Sequence, residues 1–131
     1  MRVLLASLLF FAMSWPAQAR HHHQLHERHH AVVAHPAGCP RRSFCGCGVA
    51  KYVFGAPIRS LWLARNWFRF PRAAPGDGMV AVRPHHVFAI IRNLGGGRVL
   101  AYDPNSGGHM TRIHERSLRG YAVVNPHGRR T

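Results

Sequence analysis

Acidic residues are almost absent from this chain. Only Glu27, Asp77, Asp103 and Glu115 occur, against 18 lysines and arginines, and Lys51 is the sole lysine. That deficit excludes a charge-balanced surface; the chain will adsorb to anionic polymers with little specificity. Cysteine is scarce as well. Cys39, Cys45 and Cys47 are an odd number, so complete pairing within the chain is excluded and one thiol is left over. Beyond residue 15 no apolar run approaches the length of a membrane span. No internal repeat is visible.

What is present begins with an export signal. Met1-Arg2 is a short positive segment, Val3 to Trp15 is an apolar stretch of 13 residues, and Ala17-Gln18-Ala19 is a small-x-small cleavage site. This pattern reads as a secretory signal peptide over 1–19, and it predicts a periplasmic or secreted protein. Removing 19 of the 131 residues leaves 112, enough for one small domain and not for two. Without Arg2, 17 basic side chains face four acidic ones, a formal excess of 13. For an exported chain the matching partners are peptidoglycan or another anionic envelope polymer. Nucleic acid is not expected, since export removes it and no nucleic-acid motif is visible. No transmembrane span is expected after signal cleavage, and the protein is expected to be a monomer.

Residues 20–37 form a histidine-rich leader holding seven of the 12 histidines. With little apolar periodicity it is expected to be disordered. Imidazoles so spaced can hold a transition metal, which makes metal binding a second expectation for this tract. From Gly38 onwards the chain reads as folded. Val49 to Phe54 suits a short helix closed by Gly55. Pro57 begins a second, over Ile58 to Phe68, whose Ile58, Leu61, Trp62 and Arg65 fall at i, i+3, i+4, i+7. After Pro71 to Gly78 the period becomes that of strands: Met79–Val82, Val87–Arg92, Arg98–Tyr102, Met110–Ile113 and Tyr121–Val124. Gly95-Gly96-Gly97 is a hairpin loop between the second and third. Helices first and antiparallel strands after is an α+β pattern, with N-terminal helices packed on a small antiparallel β-sheet.

Three groups in order carry chemistry: Cys45-Gly46-Cys47, then His86 opening an apolar strand, then Asp103-Pro104-Asn105 at the end of the next strand. Cysteine, histidine and an acidic or amide group are the minimum equipment of thiol catalysis: a nucleophile, a base and a group that orients the base. The thiolate is the reactive form, and a helix start beside Arg41 and Arg42 favours it. Gly46 and Gly48 are expected to let substrate approach the backbone. His86 sits on a core strand, and alternation turns its neighbour His85 to the other side. A hairpin then brings Asp103 or Asn105 within reach of His86. A disulfide from Cys39 to either Cys45 or Cys47 is possible in principle, whereas a Cys45–Cys47 bridge would be strained.

From Gly38 to Pro126 the chain resembles the CHAP family, the cysteine, histidine-dependent amidohydrolases/peptidases of the NlpC-type, papain-like group. The matching features are the cysteine at a helix start, Pro75-Gly76-Asp77-Gly78, His86-Val87, Asp103-Pro104-Asn105 and the closing Arg119-Gly120-Tyr121. The segment Leu63 to Trp67 also resembles small exported proteins of α-proteobacteria. The resemblance implies a papain-like core, a CHAP-like domain over 38–127 before a basic tail at 128–131, and an amidase or endopeptidase that cleaves peptidoglycan amide bonds. Carried over, Cys45 is the nucleophile, His86 the base, Asp103 the orienting group and Asn105 its support, with Cys47 as the alternative nucleophile. No cofactor and no metal is implied for catalysis. The competing expectation is an inactive, CHAP-like envelope-binding or structural protein that holds metal through its leader.

Overall fold

The computed structural model describes residues 30–129. The expected signal peptide at 1–19, most of the leader and the end of the basic tail fall outside the described residues. Nine elements follow: β1 (Ala31–Val33), α1 (Cys45–Phe54), two 3-10 segments (Arg59–Leu61 and Ala64–Arg69), β2 (Val80–Arg83), β3 (His86–Gly95), β4 (Arg98–Ser106), β5 (Met110–Ser117) and β6 (Ala122–Val124). The six strands form one antiparallel sheet in the order β1-β5-β4-β3-β2-β6. The molecule is a mostly β structure with few helices. No described helix is long and apolar enough to cross a membrane.

Strand alternation divides the core in two. Val80, Val82, Val87, Ala89 and Val124 point to one face, where they pack with Val49 and Ala50 of α1 and with Leu61, Ala64 and Trp67 of the 3-10 segments. Ala81, Phe88, Ile90, Val99, Ala101 and Val123 point to the other, under Leu118 and Tyr121. The hairpin between β3 and β4 falls in the glycine run as expected: Gly95 ends β3 and Gly96-Gly97 makes the turn, all three at positive φ. Gly55 ends α1 in the left-handed region at φ 75, its amide bonded to the Lys51 carbonyl.

Two expectations are corrected. The leader is not disordered throughout 20–37. Ala31–Val33 adds to the sheet beside Thr111–Ile113, because β5 would otherwise present an unpaired edge. The second helix expected over Ile58–Phe68 is two 3-10 segments instead. Side chains occupy the carbonyls that an α-helix needs. The Ser60 carbonyl accepts from Asn66 Nδ2 at 2.8 Å and Arg69 Nη2 at 3.2 Å. The Leu61 carbonyl accepts from the buried Trp67 Nε1 at 2.9 Å. Such bonds compete with the i→i+4 ladder.

The docking of α1 depends on two glycines. A Cβ on Gly46 would lie 2.3 Å from the carbonyl oxygens of both Leu61 and Trp62. One on Gly48 would lie 2.5 Å from Pro104 Cβ. Both glycines are buried and face the protein's own backbone and Pro104, not an approaching substrate as the sequence suggests. Gly46→Ala is therefore expected to lower the unfolding free energy by about 3 kcal/mol or more, above the usual overpacking range, because backbone must move. Gly55→Ala, where a Cβ meets nothing, should lose about 1 kcal/mol through its backbone conformation alone. Urea unfolding of the two variants checks the order.

Candidate active site

Cys45 is the first residue of α1. The residue before it, Phe44, offers no side-chain cap, and the first helical bond is Gly48 N–H to Phe44 O at 2.8 Å. The amides of the opening turn consequently lack intrahelical acceptors. Ser43 precedes them at φ 51, a left-handed conformation unfavourable for a residue with a Cβ. Cys39 and Cys47 are joined in a disulfide, and Cys45 is the free cysteine. Helical spacing places positions 45 and 47 on different sides of α1, which separates the bridged sulfur from the free one. Cys47 is thus removed as a nucleophile.

His86 is the first residue of β3. Its Nε2 donates to Asp103 Oδ1 at 2.6 Å. The Cys45 side chain lies near enough to the ring to favour its charged form. Thiol, imidazole and carboxylate are therefore gathered at one site. Asp103 lies on β4, whose carboxylate is fully buried. Its Oδ2 accepts from His114 Nε2 at 2.7 Å and from Arg116 Nη1 at 2.9 Å. Arg116 in turn reaches the Tyr121 hydroxyl at 2.8 Å and lies over the Phe88 ring, 5.1 Å from its centroid.

The register explains these neighbours. Ala101 pairs with His114 and Val99 with Arg116, so the alternating residues 112, 114 and 116 share the face of Asp103. His114 and Arg116 are absent from the sequence reading. The signal that could have found them is the stripe Arg112, His114, Arg116 along one strand, polar where a buried face would be apolar. Asn105 belongs elsewhere. It sits at φ 60, and its Oδ1 accepts from His109 Nδ1 at 3.0 Å. It shapes the turn at the end of β4 and does not support His86. His85 is corrected too: it lies in the two-residue turn between β2 and β3, where it lines a cleft of about 310 Å³ that opens onto Cys45.

The electrostatics follow from burial and pairing. Burial alone would disfavour charge on His86. The bond to Asp103 and the nearby Cys45, with the Coulombic attraction of both, outweigh it and push His86 up to about 9. Burial alone would likewise raise the Asp103 carboxyl, yet the bonds from His86 and His114 and the His86 and Arg116 charges hold it below its ordinary value. Near neutral pH the pair is imidazolium and carboxylate. Such a site can present a thiol to an electrophilic carbon and hold a proton ready for a leaving group.

Among the described residues no group of three or more His, Cys, Asp or Glu is placed to hold a metal ion. Most leader histidines lie outside the described residues. His30 sets its ring edge-on to His114 at 5.6 Å, and His35 packs against Phe44 at 4.4 Å. Comparison with known proteins finds no family model, curated protein or solved structure that matches the chain.

The raised His86 contributes stability that is fully present below its unfolded value of 6.5 and lost as pH rises through about 9. The lowered Asp103 contributes stability present above 3.8 and lost as pH falls. Unfolding free energy is expected to be greatest between roughly pH 4 and 6.5 and to fall on both sides. In His86→Ala the decline between pH 6.5 and 9 should flatten. Denaturant titration across pH measures both limbs.

Proposed function

We propose that this protein is an exported thiol hydrolase that cleaves amide bonds in peptidoglycan through Cys45, His86 and Asp103. The observation that carries the reading is the His86 ring, bonded through Nε2 to buried Asp103 at 2.6 Å and held in its charged form partly by the nearby free Cys45. A helix bearing the cysteine and packed on an antiparallel sheet, with histidine and aspartate on adjacent strands, supports a papain-like, CHAP-like core. The signal-peptide pattern and the excess of arginine support action on an anionic envelope polymer.

The chemistry runs in two halves. The Cys45 thiolate attacks the amide carbonyl carbon, and the carbonyl electron pair moves to oxygen. The free amides of the first turn of α1 are suited to hold that oxyanion. The C–N bond then breaks as the His86 imidazolium gives its proton to the departing amine. A thioester remains on Cys45. Neutral His86 next takes a proton from water, whose oxygen attacks the thioester; the C–S bond breaks, the carboxylic acid leaves, and the Cys45 thiolate and His86 imidazolium are restored. Asp103 keeps the ring oriented and its charge compensated throughout.

Purified protein should clear a peptidoglycan zymogram. Cys45→Ser should abolish clearing, and His86→Ala should lower the rate by about 10²-fold or more. Asp103→Asn, which keeps the shape and removes the charge, should fall between them and the parent. A parent inactive on several wall types would favour an inactive envelope-binding protein of the same fold.

A further inference from the structure

The cleft that opens onto Cys45 is lined by two kinds of side chain. One is apolar and fixed. Trp62 donates its Nε1–H to the Pro57 carbonyl at 3.3 Å and lies under the Arg59 guanidinium, 4.6 Å from the ring centroid. Beside it Leu63 is 57% exposed, unusually open for a leucine and without cover in the fold. The other kind is polar: Ser43, Arg65 and His85, all three exposed. No acidic residue lines the cleft.

Arg65 is the arginine that lines the cleft, while several others are committed elsewhere. Arg98 pairs with Glu115, Arg116 with Asp103, and Arg112 and Arg69 donate to backbone carbonyls. Arg59 and Arg83 lie over aromatic rings. The side chains of Arg65 and His85 make no hydrogen bond or ion pair with any other described residue. The described carboxylates offer Arg65 nothing: Asp77 accepts from the Asn93 amide, Glu115 is taken by Arg98, and Asp103 is buried under His86. An uncommitted guanidinium beside a nucleophile, in a cleft without acids, is a receptor for an anion from outside.

We propose that Arg65 binds a free carboxylate carried by the acyl portion of the substrate. Ser43 and His85 supply further hydrogen bonds, and Trp62 and Leu63 take the aliphatic part. The substrate class is then a peptide amide with a free carboxylate close to the bond attacked, preferred over the same peptide with that carboxylate amidated. Planar, bidentate recognition separates carboxylate from carboxamide because the amide nitrogen has protons where the guanidinium needs an acceptor. This inference rests on Cys45 being the nucleophile of the proposed hydrolase.

Two alkylating reagents of nearly equal size test the site without any need for turnover. Iodoacetate and iodoacetamide both form an S–CH₂ bond at Cys45 and release iodide, and they differ only as carboxylate and carboxamide. The readout is the ratio of their rates at Cys45, followed by mass of the intact chain. Arg65→Gln is expected to lower the iodoacetate-to-iodoacetamide ratio by about five-fold or more. Arg119→Gln removes the same charge from an exposed turn outside the cleft and should leave the ratio unchanged. An Arg65→Gln ratio within about two-fold of the parent, or an equal fall in both variants, would overturn the carboxylate site. Failure of both reagents at Cys45 would overturn it too, because the cleft would not admit even a two-carbon acid. The zymogram reads hydrolysis separately, so loss of the ratio effect in a protein that clears walls removes the carboxylate site alone.

Discussion

Asp103 carries a fully buried negative charge, and the organisation of the site depends on how that charge is compensated. Taking a carboxylate out of water costs several kcal/mol unless partners satisfy it. Here three donors from two strands do so: His86 on Oδ1, His114 and Arg116 on Oδ2. Each donor is tied to sheet register. A slip of β5 by one residue would turn His114 and Arg116 to the other face and leave the carboxylate without two of its three bonds. The same cluster therefore fixes the pairing of β4 with β5 and the orientation of the His86 ring.

The helix that carries Cys45 is positioned by a different constraint, the absence of side chains. Gly46 admits the carbonyls of Leu61 and Trp62, and Gly48 admits Pro104. Pro104 follows Asp103 directly and is itself fully buried. The contact between Gly48 and Pro104 thus sets the separation between the cysteine helix and the strand that bears the carboxylate. The Cys39–Cys47 disulfide fastens the segment before the helix to its first turn. One short stretch, CGCG, combines a free thiol, an anchor and two close contacts.

Much of this was legible in the sequence, for identifiable reasons. The β3–β4 hairpin is marked by three consecutive glycines, and it makes the 17-residue interval from His86 to Asp103 a contact. The free Cys45 follows in part from an odd cysteine count. What was not legible depends on tertiary bonds. The apolar spacing from Ile58 to Arg65 suits a helix, but Asn66, Trp67 and Arg69 take the carbonyls that would have built it. Asn105 looked like a catalytic amide because it follows Asp103 at an interval of two. Its left-handed backbone serves the turn instead. The leader contributes β1 because Thr111–Ile113 of β5 offers it an unpaired edge. His114 and Arg116 become readable only once the register of β5 on β4 is known.

The central claim is that Asp103 keeps His86 charged beside a free thiol. Following the ring nitrogens of His86 by ¹⁵N NMR as pH is raised tests it directly. The account predicts an imidazolium at pH 7 that titrates near 9 and moves towards ordinary histidine behaviour in Asp103→Asn. A neutral His86 ring at pH 7 in the parent protein would contradict it.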